Sequence, residues 1–263
     1  MDLKLKDKRA LVAGASRGLG YAAARGLALE GARVVINGRS SEHLAVAAEA
    51  LTKESGADVY IAQGDVSDPS IPEKIIAQAV DVMGGLDLLV TNAGGPPAGK
   101  FDSFDDEAWQ KGIDLSLMSH VRMIRAALPY LRNSPAASVL TITSYSVKQP
   151  IPNLVLSNSV RAATVGLTKT LALELGSDGI RFNSILPGWT ETERVHELMK
   201  ARAEMNNTSI EEEIRKQAED SPIGRMAKPE EFANAAVFLL SPAASYITGV
   251  MLTVDGGMYK GTI

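Results

Sequence analysis

Short apolar runs alternate with longer stretches of helical periodicity along most of the 263-residue chain. Several of the short runs are apolar at nearly every position, which is typical of strands that are buried on both faces. The seven strand candidates are residues 9–13, 33–38, 58–63, 86–91, 138–143, 181–186 and 251–255. Two of the helical stretches, 19–31 and 160–176, end at a glycine, which is a common helix stop. The alternation predicts an α/β fold, a doubly wound parallel sheet of about seven strands with helices on both faces.

One segment departs from this alternation. Residues 190–228 are charged and helical, and they are long for a connection between strands. Long insertions near the carboxyl ends of strands often cover a site, so the segment is a candidate helical substrate lid. A solvated helical hairpin explains the same pattern equally well. No linker, repeat or low-complexity tract divides the chain, which predicts a single domain over residues 1–263.

Composition and charge exclude several classes of function. The net charge is −4 from 27 basic and 31 acidic residues, and no basic tract indicates a nucleic-acid partner. There is no cysteine, and His43, His120 and His196 are far apart in the sequence, so we expect no disulfide and no metal site. The N-terminus lacks a signal-peptide core, and no apolar run reaches the roughly 18 residues of a membrane span. We therefore expect a soluble, cytoplasmic protein with a small-molecule substrate and no membrane partner.

A glycine-rich turn, AGASRGLG at residues 13–20, follows the first strand candidate and opens a helix. Gly14 permits the tight turn, Gly18 lets the backbone approach a pyrophosphate, and Gly20 allows close packing of helix on strand. The helix N-terminus then offers free amides and the positive end of its dipole to the phosphates. Strand, turn and helix together predict a dinucleotide-binding site in a Rossmann-type fold.

The second strand candidate bears on which dinucleotide is bound. An NAD site usually places a carboxylate at the end of this strand to hold the ribose 2′-hydroxyl. Here the stretch reads INGRSSEHL over residues 36–44, with no acid before Glu42. Arg39 in this stretch and Arg17 in the glycine-rich turn suit a 2′-phosphate, because forked donors and positive charge both favour it. The sequence favours NADP(H), with NAD(H) as the alternative cofactor. If the two arginines simply face water, they bind no phosphate and carry no information about the cofactor.

Further motifs make the chain similar to the short-chain dehydrogenase/reductase family over nearly its whole length. They are GDVSD (64–68), TNAGG (91–95), LPGWTET (186–192) and the C-terminal stretch 221–257. The resemblance implies an NAD(P)-dependent oxidoreductase. It places the cofactor contacts on Gly14, Ser16, Arg17, Gly18, Leu19, Gly20, Arg39, Asp65, Val66, Asn92, Ala93, Gly94, Pro187, Gly188 and Thr192. Family members are commonly tetramers, which implies a homotetramer or dimer formed through helices 104–133 and 158–176.

The resemblance breaks down at the family's Asn-Ser-Tyr-Lys tetrad. Ser144 fits the serine position, but the register puts the tyrosine at Ser157, the lysine at Arg161 and the asparagine at Ser116. An unassisted serine hydroxyl is a much weaker acid than tyrosine, and arginine does not give up its proton in a protein. We therefore interpret Arg161 as a cofactor clamp that donates to ribose hydroxyls and Ser157 as non-catalytic. A structural arginine facing solvent is the alternative for Arg161.

The stretch SYSVK at residues 144–148 offers other candidates for catalysis. Tyr145 is the only tyrosine near the expected site, and Lys148 is a side chain whose pKa shifts readily when it is desolvated. With Ser144 they form the candidate catalytic set, although both are also ordinary loop residues. Two functions remain open: an NADP(H)-dependent oxidoreductase of a carbonyl or alcohol with a rearranged active site, or an NADP(H)-binding pseudoenzyme or sensor without turnover.

Overall fold

A seven-stranded parallel sheet forms the centre of the protein. The computed structural model describes residues 1–262. The strands are β1 (Arg9–Val12), β2 (Arg33–Gly38), β3 (Val59–Gln63), β4 (Leu88–Thr91), β5 (Ser138–Ile142), β6 (Arg181–Pro187) and β7 (Met251–Val254). Their spatial order is β3-β2-β1-β4-β5-β6-β7, and every neighbouring pair is parallel. The predicted fold class is confirmed.

Helices cover both faces of this sheet. They are α1 (Gly18–Leu29), α2 (Ser41–Ser55), α3 (Pro72–Met83), α4 (Asp106–Ile113), α5 (Ser119–Leu131), α6 (Val155–Glu174), α7 (Glu193–Asn206), α8 (Ile210–Glu219) and α9 (Pro229–Leu240). Apolar residues of α1, α2 and α9 fill one core, and those of α3, α5 and α6 fill the other. Successive apolar residues of β1, β2, β3 and β4 alternate between the two cores, which is why these strands contain continuous apolar runs.

Helix α6 begins five residues earlier than its apolar pattern indicates. The polar residues Ser157 and Asn158 interrupt the apolar pattern, but Leu156, the second residue of the helix, is fully buried. The Asn158 side chain donates to the Ile151 carbonyl at 2.9 Å and accepts from its amide at 3.3 Å, so it ties the preceding loop to the helix. The first turn of α6 is therefore stabilised by tertiary contacts, not by amphipathic periodicity.

The order of the strands places a crevice at the carboxyl ends of β1 and β4. The chain leaves these neighbouring strands in opposite directions, and ligands of open α/β sheets bind at such a switch point. The Ala13 amide donates to the Val90 carbonyl at 2.9 Å, and the Ala15 amide donates to the Asn37 carbonyl at 2.8 Å. The glycine-rich turn is thereby held against the ends of β4 and β2.

The charged segment 190–228 forms α7 and α8, which pack against each other beside the crevice. Its two ends are joined, because Thr190 and Ala227 form an isolated parallel bridge. Arg202 of α7 donates to the Gln217 side chain of α8 at 2.6 Å. The segment is thus a closed helical excursion from the sheet, and its service as a substrate lid stays a prediction.

Candidate functional site

A cavity of about 470 Å³ opens at the carboxyl ends of the strands, between the glycine-rich turn and the start of α7. It is lined by nearly all the predicted cofactor residues: Gly14, Ser16, Arg17, Gly18, Leu19, Arg39, Asp65, Val66, Asn92, Ala93, Gly94, Arg161, Pro187, Gly188 and Thr192. Gly20 lies behind the wall instead, where a Cβ atom would stand 2.3 Å from the Gly14 carbonyl oxygen. The close approach at Gly20 is therefore to the glycine-rich turn, whereas the sequence predicted close packing of the helix on the strand.

The glycine-rich turn brings its backbone close to the end of β4 at Gly14. Gly14 has a φ of +58°, and a Cβ atom there would lie 2.8 Å from Nδ2 of Asn92. Asn92 Nδ2 donates to the Gly14 carbonyl at 3.1 Å and so joins the turn to the end of β4. Arg17 precedes α1 without a side-chain hydrogen bond to the helix amides. The first amides of α1 therefore remain available to an anion.

Asn37 holds the turn from the other side and has a structural role that the sequence did not reveal. Its buried side chain donates to the carbonyls of Ala62 at 2.9 Å and Gly64 at 3.1 Å. Its Oδ1 accepts from the Gly14 amide at 3.4 Å. The signal in the sequence is an asparagine directly after the apolar run 34–36 of β2, because a buried polar side chain must find hydrogen-bond partners.

The two arginines at the outer end of the cavity are both paired with carboxylates. Arg39, with a side chain that is 80% exposed, lies 4.0 Å from Asp65. Arg17 Nη1 donates to Glu193 at 2.5 Å, a contact between the glycine-rich turn and α7. None of the cavity-lining residues of β2 is acidic, as the sequence indicated. The guanidinium groups are thus within the cavity wall but must exchange partners to bind a phosphate.

Ser144, Ser157 and Arg161 line one wall of the cavity at the end of β5. Ser144 Oγ accepts from the Ser146 amide at 3.1 Å, which fixes the position of the oxygen. Arg161 is only 9% exposed, and its Nη1 donates to the carbonyls of Ile142 at 3.3 Å and Thr143 at 3.1 Å. Its Nε has no hydrogen-bond partner among the residues that the structure describes. Burial lowers the pKa of Arg161 to about 10, and the charge of Arg194 acts in the same direction.

Tyr145 also lines the cavity, but it belongs to a different neighbourhood. A 3₁₀ turn over Tyr145–Val147 directs the ring into an apolar cluster with Trp189, Met199 and Met226. Burial raises the pKa of the phenol above its usual value, and the charges that act on this pKa include Asp220 and Arg202 of the 190–228 segment. Tyr145 is thus associated with the helical excursion, whereas Ser144 faces Arg161's side of the cavity.

Lys148 is not brought to the cavity. Its side chain is exposed, and its Nζ lies 5.0 Å from the centre of the Tyr259 ring. It is absent from the set of residues that line the cavity, unlike Ser144 and Tyr145. The structure therefore unites two of the three candidate catalytic residues and leaves the third on the surface.

His120 lies beside Arg161, away from the other two histidines, and was not anticipated as part of this region. Its Nδ1 is 2.7 Å from Thr91 Oγ1, and the side chain is buried. Burial lowers the pKa of His120 to about 3, and the positive charge of Arg161 adds to this effect. The imidazole is neutral at pH 7. Ser116, at the expected asparagine position, lies in a π-helical segment (Asp114–Met118) and does not line the cavity.

Two structural features are absent from residues 1–262. No helix in this range is long and apolar enough to cross a membrane. No group of three or more His, Asp or Glu side chains in the same range is arranged to hold a metal ion.

Comparison with known proteins identifies the family. A family model described as enoyl-(acyl carrier protein) reductase matches residues 14–259. Dehydrogenase/reductase SDR family member 4 of Oryctolagus cuniculus is 36% identical over 254 residues, covering 96% of this chain and 94% of that protein.

Two solved structures share the fold closely. L-sorbose reductase from Gluconobacter frateurii, complexed with NADPH and L-sorbose, superposes with a TM-score of 0.95 at 34% identity and covers 99% of this chain and 100% of its own. An NADPH-bound short chain oxidoreductase from Pseudomonas aeruginosa PAO1, containing an atypical catalytic center, superposes with a TM-score of 0.88 at 30% identity, over 98% of this chain and 100% of its own. The chain therefore belongs to the short-chain dehydrogenase/reductase family of oxidoreductases.

Proposed function

We propose that the protein is an NADP(H)-dependent oxidoreductase that reduces a carbonyl compound, or oxidises the corresponding alcohol, with a rearranged active site. In this proposal Ser157 and Arg161 occupy the positions of the family's tyrosine and lysine. The observation that carries it is the shared cavity wall of Ser144, Ser157 and Arg161, next to the glycine-rich turn. The NADPH-bound relative with an atypical catalytic center supports the view that a departure from the usual residues is compatible with cofactor binding.

The residues present fit a nicotinamide dinucleotide. A Cβ atom on Gly14 would collide with Asn92, and Gly18 has a φ of +62°, which favours glycine at the start of α1. These amides would hold the pyrophosphate. Arg17 and Arg39 would hold the 2′-phosphate, which is the basis for proposing NADP(H) over NAD(H). The adenine would lie against Asp65 and Val66, and the nicotinamide half against Asn92, Ala93, Gly94, Pro187, Gly188 and Thr192.

The chain's own residues would orient the substrate and stabilise charge. A bound nicotinamide supplies or accepts the hydride. Ser144 would donate to the substrate oxygen, and the fixed positive charge of Arg161 would stabilise the alkoxide that forms there. Arg161 would also donate from Nε to the nicotinamide ribose. It cannot deliver a proton, so the proton would come from solvent in the cavity or from Tyr145. Lys148 has no role in this arrangement.

A binding titration followed by a turnover assay tests the proposal. NADPH fluorescence would give the dissociation constant, and a panel of aldehydes and ketones would then be screened by the loss of absorbance of NADPH. We expect Ser144→Ala to lower kcat/KM about 100-fold, as loss of an oxyanion donor does, with NADPH affinity changed less than twofold. The matched control is Ser159→Ala, because Ser159 is an exposed serine of α6 outside the cavity lining.

A second function has one specific observation in its favour. Arg161 cannot act as a proton carrier, which suits a protein that binds NADP(H) as a ligand or sensor without turnover. The same experiment separates the two. NADPH binding with no oxidation by any member of the panel would favour the sensor, whereas absence of NADPH binding would contradict both proposals.

We further propose that the 190–228 segment covers bound substrate and that the chain forms a homotetramer or dimer through α4, α5 and α6. The contact of Arg17 with Glu193 supports the first proposal, because it already joins the segment to the glycine-rich turn. Leu173 of α6 is 75% exposed, which supports an interface there. Sedimentation velocity of the wild type and of Leu173→Glu would test the assembly, and a monomeric wild type would contradict it.

A further inference from the structure

The side chains that line the cavity carry more positive than negative charge. The lining contains four arginines and three carboxylates. Each carboxylate faces one arginine, in the pairs Arg17–Glu193 at 2.5 Å, Arg39–Asp65 at 4.0 Å and Arg194–Glu197 at 3.7 Å. The fourth arginine is Arg161, which forms no ion pair within residues 1–262 and has only two carbonyl partners. The most deeply buried charge of the cavity is therefore the one without a counterion.

A second guanidinium converges on the same place. A Cβ atom built on Gly95 would lie 3.9 Å from Nη2 of Arg161 and 3.9 Å from Nη2 of Arg194. The two arginines come from different elements, α6 and the first turn of α7, and Gly95 follows β4. Arg194 Nη2 reaches the Pro96 carbonyl only at 3.5 Å, a long contact. Both Nη2 atoms thus face a point where glycine leaves room for a ligand.

This juxtaposition is electrostatically unfavourable without a ligand. Burial and the charge of Arg194 together lower the pKa of Arg161, so the two groups repel each other. The buried Nε of Arg161 has no partner among the described residues. A ribose hydroxyl could accept from Nε, but it is neutral and would leave the charge of Arg161 without a counterion. A planar anion with two oxygens would accept from both guanidiniums and neutralise the excess charge.

We propose that Arg161 and Arg194 bind a carboxylate of the substrate, so that the substrate is a short oxo acid or the corresponding hydroxy acid. The keto group would be close to the carboxylate, because Arg161 Nη1 bonds the Thr143 carbonyl and Ser144 is the next residue. In reduction the keto carbon gains the hydride, the keto oxygen gains a proton from solvent, NADPH becomes NADP⁺, and the carboxylate is unchanged. The reaction rests on the proposed function, whereas the anion site rests on the two arginines alone.

Matched acids and esters test the proposal. The probes are pyruvate, acetoacetate and levulinate, each compared with its methyl ester. Calorimetric titration into the NADP⁺-loaded protein gives binding without turnover, and NADPH oxidation gives KM. We expect at least one acid to bind more tightly than its ester. Arg194→Gln should weaken that acid about tenfold in both Kd and KM, while the ester and NADPH change less than twofold. Arg161→Lys, which keeps the charge but loses the fork, should weaken the binding of the acid more than that of its ester.

The control and the contrary outcomes are distinct. Arg215→Gln, which removes an exposed arginine of α8 outside the cavity, should leave all constants unchanged. If no acid is preferred over its ester, the proposal is wrong. It is also wrong if Arg194→Gln weakens NADPH instead, because the site then serves the cofactor's pyrophosphate. Acid binding without any oxidation of NADPH would contradict the proposed oxidoreductase but support the anion site, so the two failures are separable.

Discussion

Replacement of the buried Arg161 by methionine should cost little stability, although the residue lies in the wall of the active-site cavity. The fall of its pKa from 12.5 to about 10 corresponds to about 3 kcal/mol of unfavourable burial of the charge. Against this stand the two hydrogen bonds to the Ile142 and Thr143 carbonyls, each worth about 1.5–3 kcal/mol. The two effects nearly cancel, so we expect Arg161→Met to change the free energy of unfolding by less than about 2 kcal/mol.

Arg181 provides a matched comparison. Burial lowers its pKa to about 10 as well, but its guanidinium donates to four carbonyls. The acceptors are Leu239 at 2.7 Å, Ile247 at 3.3 Å, Leu240 at 2.9 Å and Ser241 at 3.0 Å. Because Arg181→Met removes four hydrogen bonds and Arg161→Met removes two, Arg181→Met should be more destabilising by about 2–3 kcal/mol.

Urea unfolding followed by circular dichroism measures this difference, provided that both variants keep the wild-type m-value. The same preparations of Arg161→Met should lose turnover and the binding of acid probes. Such a variant would be stable but inactive, which is expected where a charge is retained for function at a cost to the fold. If Arg161→Met is as destabilising as Arg181→Met, the reasoning that Arg161 is an uncompensated charge fails.

Four further predictions concern other parts of the site. The pKa of His120 is about 3 in the folded protein, so only the unfolded chain binds a proton at this residue as the pH falls below about 6.5. The free energy of unfolding should therefore fall by about 1.4 kcal/mol per pH unit from pH 6 towards pH 3. His120→Asn should remove this slope in unfolding experiments at pH 7, 6 and 5; an unchanged slope would contradict it. Arg39→Ala should weaken NADPH about tenfold and NADH less than twofold, and equal losses would refute a 2′-phosphate contact. Lys148→Ala should leave kcat within twofold of the wild-type value. Tyr145→Phe should lower kcat if the phenol supplies the proton, and leave kcat unchanged if solvent supplies it.

Much of the cofactor region followed from the sequence because its requirements are local. The turn at Gly14 and Gly18 needs a positive φ, and the close approach at Gly20 admits no side chain. Such steric demands restrict the residue type at the position itself, so they are visible in a single sequence. Asn37 is the exception: its side chain bonds Ala62 on β3, Gly64 just after β3 and Gly14 in the glycine-rich turn, and its own strand does not indicate these partners.

The catalytic region followed much less completely. Tyr145 and Lys148 are neighbours of Ser144 in the sequence, but the 3₁₀ turn directs Tyr145 into the cluster around Trp189 and leaves Lys148 over Tyr259. The spacing of two residues along the chain limits the distance between them, but the local backbone conformation determines the direction of each side chain. The approach of Arg194 to Arg161 could not be predicted from the sequence of its charged helix.

By itself, the sequence determined the seven-stranded doubly wound sheet and the glycine-rich turn between β1 and α1, because periodic burial and glycine sterics act within a few residues of each position. Only the tertiary structure decided the charge balance of the cavity. Arg161 reaches the end of β5, Arg194 approaches it from the start of α7, and every carboxylate of the cavity wall is already opposed by another arginine. Electrostatic energy depends on burial and on distances between groups that are remote in the chain, and those quantities exist only once the chain has folded.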